Sequence, residues 1–357
     1  MPGSPGAGVR RTIPPVLLFN LVPDCSTSRA IPNSRMHDLT IIGAGPSGLS
    51  TAIAARRAGL SAVILEQGSV TDAIRRFPVN MTWFSTPELL EIGNVPFVIP
   101  TVRPSRVDSL NYYHRVALLE GLDIRCHDGV TSIDRQPDAT FLVVTRRGIR
   151  HASRVVVIAT GYFDHPQRLH VPGEELPHVF HYYSEPFRFS GTDVVVVGGR
   201  NSAVETALDL YRHGAKVTLV HRGATLSPGV KYWVLPDIEN RIKAGQVQAM
   251  FETTVEEIQE ESLVLIQKGE RLLRKADFVF VLIGFGPDSA LLQAAGVELN
   301  PGSQAPACDP TTFETNVPGL FVAGSVVAGK DTNKIFVENG RLHGEVIVKA
   351  VQERLRR

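Results

Sequence analysis

A strand, a glycine turn and a helix follow one another twice in this chain. The first copy runs from Asp38 to Gly48 and reads DLTIIGAGPSG. Gly43 permits a tight turn after the apolar strand, Gly45 permits close approach of a pyrophosphate, and Gly48 permits the helix to pack on the strand. N–H groups and the dipole at a helix start favour phosphate. The segment therefore predicts a dinucleotide-binding turn.

The residues after this turn complete the first unit. We predict a helix that ends near Gly59, because glycine is common just past a helix end, and then a strand from Ser61 to Leu65. Glu66 follows that strand, 23 positions after Gly43. A carboxylate at this place accepts hydrogen bonds from the adenosine ribose.

The second copy runs from Asp193 to Ala203 and reads DVVVVGGRNSA. We predict a helix from Ser202 to about His213 and a strand from Lys216 to Val220. His221 lies 23 positions after Gly198, at the offset that Glu66 has from Gly43, and Arg222 follows it. The two halves are therefore copies of one βαβ unit, which predicts an α/β fold with two Rossmann-like domains.

The charge after the second strand of each copy predicts its ligand. A carboxylate binds ribose hydroxyls and repels a 2′-phosphate, whereas an arginine binds that phosphate. The first site should hold FAD or NAD and the second NADP(H). Arg200 stands where the middle glycine of the second turn belongs, which indicates a shifted or charge-bound pyrophosphate. The alternatives are a solvated surface role for Arg222 and a structural role for His221.

Composition excludes several classes of protein. The 357 residues suffice for about two domains, and a net charge of +1 gives no indication of a nucleic-acid partner. No apolar run approaches the roughly 20 residues of a membrane helix. The three cysteines, Cys25, Cys126 and Cys308, form no CxxC. This excludes a zinc ribbon, predicts no metal site and favours the reducing cytoplasm.

Residues 1–36 are rich in Pro, Gly, Ser and Arg and do not resemble the rest of the chain. We predict a disordered tail, or a translation start placed too early with Met36 as the true start. A protein that begins at Met36 should fold and hold its flavin.

Residues 80–97, NMTWFSTPELLEIGNVPF, mix aromatic and hydroxyl side chains with few charges. One interpretation is a loop packed on the core, and the other is a segment that lines a flavin ring. On the second interpretation, Trp83, Ser85 and Thr86, together with Lys334, are candidates for the reactive face of the flavin.

The two glycine turns, the segment Ala159-Thr160-Gly161 and the late PGLFVAG stretch ending at Gly324 together resemble the two-dinucleotide-binding flavoproteins, such as the low-molecular-weight thioredoxin reductases. This resemblance covers residues 37–357 and implies an NADPH domain inserted into a split FAD domain. The predicted bounds are 37–163 and 285–357 for the FAD domain and 164–284 for the NADPH domain. The CxxC of thioredoxin reductases is absent, because His181 to Ser184 stand in its place.

Three further stretches, NMTWFSTPELLEIGNVPF, VKYWVLPDIENRI and NKIFVENGR, resemble the YpdA-type branch, the bacillithiol disulfide reductases. Relatives often carry a cysteine in the first glycine turn, where this chain has Ser47, and Ser325 replaces a usual aspartate. The resemblance implies two sets of contacts. For FAD they are Gly43, Gly45, Ser47, Gly48, Glu66, Gln67, Thr160, Gly324, Lys334, Ile335 and Phe336. For NADPH they are Gly198, Arg200, Asn201, Ser202, His221, Arg222 and Lys231.

These observations predict an enzyme in which hydride passes from NADPH to flavin and two electrons pass on to an acceptor, without a dithiol. The expected acceptor is a small-molecule disulfide or another small redox compound, and we expect a homo-oligomer. Short connections near Gly161 and Gly284 would let one domain rotate against the other. The alternatives are an NADPH reductase of a protein such as ferredoxin, a flavin monooxygenase, and a flavin-binding redox sensor or assembly factor without catalysis.

Overall fold

The computed structural model of the protein describes residues 36–356. The predicted tail before Met36, and Cys25 within it, lie outside the described residues. No helix among residues 36–356 combines the length and apolar character needed to cross a membrane.

The first glycine turn belongs to a mixed sheet with its covering helices. The strands are β1 (His37–Ile42), β2 (Ala62–Leu65), β3 (Ile124–Arg125), β4 (Val130–Arg135), β5 (Phe141–Thr145) and β6 (Arg150–Ile158). The helices are α1 (Pro46–Arg57), α2 (Asp72–Arg75), α3 (Pro87–Leu90) and α4 (Arg106–Leu119).

The order in this sheet is β3-β2-β1-β6-β5-β4, with β1 parallel to both β2 and β6. The apolar run of β1 is consistent with this central place, since Leu39 and Ile41 are fully buried. Parallel strands end at the same edge, so the turn after β1 lies beside the ends of β2 and β6. This edge is where α/β proteins bind nucleotides.

The second glycine turn belongs to a separate sheet. This part contains β7 (His165–Pro166), β8 (Val179–Phe180), β9 (Asp193–Val197), β10 (Lys216–Val220), β11 (Gln248–Met250), β12 (Thr253–Ile258), β13 (Ser262–Gln267), β14 (Glu270–Lys275), β15 (Phe278–Val281) and β16 (Phe285–Gly286), with helices α5 (Asn201–Arg212) and α6 (Leu235–Lys243). A parallel sheet has the order β11-β10-β9-β15-β8, and β12, β13 and β14 form an antiparallel sheet beside it. The valine run of β9 lies at the centre of the parallel sheet.

The end of the chain returns to the first sheet. It contains α7 (Ser289–Ala294), β17 (Leu320–Val322), α8 (Val337–Gly340) and α9 (His343–Leu355). β17 pairs in parallel with β6, although residues 165–286 come between them in sequence. The second Rossmann-like unit is therefore inserted into the first, which confirms the predicted fold class. The exact domain bounds stay a prediction.

The two connections between the sheets run side by side. β7 and β16 pair antiparallel, and the N–H of Gln167 donates to the Gly284 carbonyl at 2.9 Å. Gly161 and Gly284, which precede these strands, have positive φ values of 70° and 113°. The chain thus crosses twice through one narrow place, as the two glycine positions predicted.

The structure differs from what the sequence indicates at three elements. The sequence predicts a helix from Val70 to Phe77, but the structure has only the four residues of α2 there. The sequence does not indicate the strand β4. It also predicts a closing helix from about Lys334, but a turn comes first: the N–H of Lys334 donates to the Asp331 carbonyl, and α8 begins at Val337.

Candidate cofactor sites

A first cavity lies at the carboxyl ends of β1, β2 and β6. Ten residues that the sequence predicted as flavin contacts or flavin-face candidates line it: Gly43, Gly45, Ser47, Glu66, Gln67, Trp83, Thr160, Gly324, Ile335 and Phe336. They come from both halves of the split domain. The structure therefore brings together residues nearly 300 positions apart at one sheet edge.

Close approach of backbone carbonyl oxygens explains why two positions in the first turn are glycine. Gly43 has φ = 106°, and a Cβ there would lie 2.6 Å from the Ala159 carbonyl oxygen. A Cβ on Gly48 would lie 2.0 Å from the Gly43 carbonyl oxygen. Gly48 lies behind the turn and does not line the cavity, so its place is the helix-to-strand contact expected from the sequence.

Glu66 is 7% exposed and lies at the end of β2. Its Oε2 accepts the N–H of Ala44 at 2.7 Å, and its Oε1 accepts the N–H of Gly68 at 2.7 Å. Burial raises the pKa of the Glu66 carboxyl, and the two backbone N–H groups act against that rise. Each carboxylate oxygen can accept a further bond, so hydroxyl donors from a ligand would stabilise the charged form.

The cavity has the features that a flavin dinucleotide needs. Apart from Gly45 and its two neighbours in the chain, no atom of residues 36–356 lies within 4 Å of a Cβ placed on Gly45, so the backbone there is open to a pyrophosphate. Further along the cavity, Trp83 Nε1 and Glu338 Oε2 are buried and have no hydrogen-bond partner among residues 36–356. One is a donor and the other an acceptor, and buried polar atoms are normally paired. A bound group with complementary atoms would satisfy both.

The structure does not bring three of the flavin-face candidates to the cavity surface. Ser85 is buried behind it, and its hydroxyl donates to the Glu338 carboxylate. Thr86 directly precedes the first residue of α3, and it does not line the cavity. Lys334 points outward and forms an ion pair with Asp331 at 2.6 Å, with its side chain 67% exposed.

The physical reason for the position of Lys334 is a side-chain bridge by Asn339. Its amide nitrogen donates to the Lys334 carbonyl at 3.0 Å, and its carbonyl oxygen accepts the Phe336 N–H at 2.8 Å. These bonds keep residues 334–336 out of the helix, with Phe336 extended directly before α8. Ile335 and Phe336 then reach the cavity, whereas Lys334 does not.

A second cavity lies at the carboxyl ends of β9 and β10. All seven residues predicted as NADPH contacts line it: Gly198, Arg200, Asn201, Ser202, His221, Arg222 and Lys231. Arg200 precedes the first residue of α5 and is exposed, so its guanidinium is accessible at the helix start where a pyrophosphate would lie.

His221 and Arg222 give this cavity its basic end. A Cβ on Gly199 would lie 2.4 Å from the His221 ring, so the turn packs directly on the imidazole. Burial, and then the positive charge of Arg222, lower the pKa of His221. Arg222 is exposed and makes no hydrogen bond or ion pair within the part of the chain that the structure describes. Its guanidinium is therefore available to an anionic ligand.

Asn201 and Lys231 join the second turn to the following loop. The Asn201 side chain donates to the Gly229 carbonyl at 3.0 Å and accepts the Lys231 N–H at 2.8 Å. Lys231 Nζ lies 2.6 Å from Glu205 Oε1 and donates to the Thr82 carbonyl at 3.4 Å. Lys231 therefore also connects the inserted domain to the loop that carries Trp83.

The two cavities adjoin. Both are lined by the same group of mostly aromatic residues: Phe77, Met81, Thr82, Tyr162, Phe163, Lys231 and Phe336. Sequence reasoning missed Phe77, Tyr162, Phe163 and Glu338. Tyr162 and Phe163 follow the Thr160-Gly161 turn directly, and Glu338 lies within the NKIFVENGR stretch, so position relative to these motifs was the available signal.

The two cysteines among residues 36–356 lie away from both cavities. Cys126 and Cys308 are half-buried and line neither cavity. Burial, and then the nearby Asp309 carboxylate, raise the pKa of Cys308, which disfavours its thiolate.

Comparison with known proteins agrees with this geometry. A family model described as pyridine nucleotide-disulphide oxidoreductase matches residues 40–324. The chain is 39% identical to the bacilliredoxin reductase Bdr of Bacillus subtilis over 88% of this chain and 97% of that protein. The structure superposes on the bacillithiol disulfide reductase Bdr (YpdA) of Bacillus cereus with a TM-score of 0.88, 37% identity and coverage of 90% and 100% of the two chains. For the Staphylococcus aureus protein the values are 0.87, 35%, 90% and 99%.

These relatives confirm the predicted resemblance to the YpdA-type branch. The chain therefore belongs to the pyridine nucleotide-disulphide oxidoreductase family, whose enzymes use a flavin and a nicotinamide coenzyme.

Proposed function

We propose that this protein is an NADPH-dependent FAD oxidoreductase that reduces a low-molecular-weight disulfide of the bacillithiol disulfide type without a thiol of its own. The observation that carries the proposal is the junction of the two cavities. Residues predicted for FAD line one cavity, residues predicted for NADPH line the other, and both share the wall formed by Tyr162, Phe163 and Phe336.

Bound FAD would supply the redox chemistry, taking hydride from NADPH and passing two electrons to the disulfide. The protein would bind and orient the two cofactors. Glu66 would accept hydrogen bonds from the ribose in the first cavity, and the open backbone at Gly45 would receive the pyrophosphate. Arg222 and His221 would bind the 2′-phosphate in the second cavity, and Arg200 would contact the pyrophosphate there. The shared aromatic wall would exclude water from the junction.

Contact between the cavities bears on the expected domain rotation. The connections at Gly161 and Gly284 would permit rotation, yet the arrangement in the structure already places the two cavities side by side. We infer that NADPH reduces the flavin in this arrangement. Rotation, where it occurs, would serve release of the coenzyme or entry of the disulfide.

No cysteine among residues 36–356 lines either cavity, which supports direct transfer from flavin to disulfide. Ser47 occupies the position of the glycine-turn cysteine, and Cys126 and Cys308 lie outside both cavities. The Bdr proteins of B. cereus and S. aureus are described as bacillithiol disulfide reductases, which supports this acceptor class for our chain.

The decisive experiment follows NADPH oxidation by the purified protein with bacillithiol disulfide, ferredoxin, or oxygen alone. We expect turnover with the disulfide and little with the other two. Turnover with ferredoxin but not with disulfide would replace the proposal by a ferredoxin reductase. Substrate-coupled oxygen uptake would indicate a monooxygenase, and FAD that NADPH cannot reduce in stopped flow would indicate a sensor.

Three further expectations accompany the proposal. We place the domain bounds after residues 163 and 284, just before the paired strands β7 and β16. We infer a cytoplasmic location from the absence of a CxxC and the three widely spaced cysteines. We expect a homo-oligomer, which sedimentation analysis would test.

A further inference from the structure

The first cavity contains two polar atoms that the glycine-turn motifs do not explain. Trp83 Nε1 can only donate a hydrogen bond, and Glu338 Oε2, as a carboxylate oxygen, can only accept one. Both are buried without a partner among the described residues. Burying a polar group without a hydrogen-bond partner is unfavourable. Two such atoms in one cavity therefore point to a ligand that bonds to both.

The two atoms belong to one side of the cavity. Ser85, two residues after Trp83, donates its hydroxyl to the other oxygen of Glu338. This bond ties the loop that carries Trp83 to α8, which carries Glu338. Glu338 makes no ion pair within residues 36–356, so its charge has no cationic partner there.

The position along the cavity shows which part of FAD would lie there. Glu66 marks the ribose end. Thr82, directly before Trp83, and Phe336, two residues before Glu338, line both cavities. Trp83 and Glu338 line the first cavity beside these shared residues, so they lie on the side of that cavity next to the second one. A group that accepts hydride from the second cavity must be on that side. That group is the isoalloxazine ring.

We propose that Trp83 Nε1 and Glu338 Oε2 bind the pyrimidine edge of the flavin ring, Trp83 at a ring carbonyl and Glu338 at the ring N3–H, and that the pair sets the reduction potential of the flavin. This edge consists of carbonyl oxygens on either side of an N–H, and it is complementary to a donor beside an acceptor. The inference rests on the proposed function, because it requires FAD in the first cavity.

The two side chains should act on the potential in opposite directions. Reduction adds electron density to the pyrimidine ring, so a donor at a carbonyl stabilises the reduced form. A carboxylate beside the same ring destabilises it. Hydrogen bonds and charge near the flavin ring are the means by which a protein tunes this cofactor.

The test measures the flavin reduction potential of the holoenzyme in two variants and a control. Glu338→Gln keeps the shape and removes the charge, and it should favour reduced flavin about 10–100-fold, a rise of about 30–60 mV for two electrons. Trp83→Phe removes the donor and should disfavour reduced flavin about 2–10-fold, a fall of about 10–30 mV for two electrons. Glu88→Gln removes an exposed charge nearby that does not line the cavity, and it should change nothing measurable.

A second test changes the cofactor instead of the charge of Glu338. The wild-type apoprotein should bind 3-methyl-FAD, which lacks the N3–H, at least about tenfold more weakly than FAD. Glu338→Ala should reduce that preference to about twofold. If Glu338→Gln fails to fold, the comparison of FAD with 3-methyl-FAD in the wild type and the potential of Trp83→Phe still test the proposal.

The outcomes separate this inference from the proposed function. Equal affinity of the wild type for FAD and 3-methyl-FAD, or shifts of the same sign in both variants, would overturn the inference while leaving the NADPH-reducible flavoprotein intact. A potential unchanged in Glu338→Gln with a loss of turnover only would assign Glu338 to the disulfide and also overturn it. Absence of bound flavin in the wild type would overturn the proposed function itself.

Discussion

Replacing Glu66 should have two separable effects, because the structure gives its carboxylate two tasks. Its oxygens accept the N–H groups of Ala44 and Gly68, both at 2.7 Å, and the side chain also lines the first cavity. The backbone bonds exist without cofactor, whereas a ribose bond requires it. Glu66→Ala should therefore weaken both the apoprotein and its binding of FAD.

The magnitude follows from the bonds. Each N–H left without a partner costs about 1–3 kcal/mol when buried. Ala44 is fully buried and Gly68 only partly, so we expect a loss of about 2–4 kcal/mol in the unfolding free energy of the apoprotein. Loss of ribose bonds should weaken FAD binding about 100-fold. At a fixed saturating FAD concentration this removes a further ~2.7 kcal/mol of ligand-dependent stabilisation.

Equilibrium urea unfolding of the apoprotein, with and without added FAD, measures both quantities. Glu174→Ala is a matched control, because Glu174 is 5% exposed and accepts two backbone N–H groups, from Leu169 at 2.9 Å and His170 at 2.7 Å. It lines neither cavity. Glu174 also contacts His181 Nε2 at 3.0 Å, so Glu174→Ala should destabilise the apoprotein at least as much as Glu66→Ala and leave the FAD increment unchanged. An unchanged FAD increment in Glu66→Ala would refute the assignment of the ribose site.

Three other substitutions or conditions test the remaining features. Arg222→Ala should lower kcat/KM for NADPH about 10–100-fold and leave that for NADH nearly unchanged, as steady-state kinetics will show; equal losses would make Arg222 structural. Burial lowers the pKa of His343 from 6.5 to about 4, and its Nδ1 accepts the Gly324 N–H at 3.2 Å. The unfolded chain therefore binds a proton at higher pH than the folded protein does. About 3 kcal/mol of the unfolding free energy should be lost as the pH falls from 6.5 to 4. Urea unfolding should show a smaller pH-dependent loss in His343→Gln. Replacing Cys25, Cys126 and Cys308 together by Ser should keep NADPH-to-flavin reduction, and turnover with the disulfide within about threefold. Loss of turnover with the disulfide while flavin reduction stays normal would show that one of these cysteines passes electrons to the disulfide.

Sequence reasoning succeeded where local chemistry determines structure. The apolar runs of β1, β9 and β10 and the glycines after them predicted two Rossmann-like units, because a buried parallel strand and a positive-φ turn leave little choice of residue. The offset of 23 positions in each copy then located Glu66 and His221 at the ends of the second strands.

Sequence reasoning failed where tertiary contacts determine the position of a side chain. Lys334 was expected at the flavin because a helix was expected to begin there, but Asn339 keeps the preceding residues out of the helix and Lys334 pairs with Asp331. Ser85 was expected at the ring and instead supports Glu338. No local pattern shows which polar side chain of a loop faces a cavity, since this depends on a helix 250 positions later.

Insertion of one Rossmann-like unit into the other has a consequence for electron flow. Gly161 lines the first cavity and Gly284 the second, and the strands that follow them pair with each other. Within residues 36–356, the covalent links between the two units therefore pass beside the place where the cavities meet. The residues predicted for FAD come from both halves of the split domain, whereas those predicted for NADPH all come from the inserted unit. On the proposed function, release of FAD would require loss of contacts to both halves, so we expect FAD to remain bound through many turnovers while NADP⁺ exchanges.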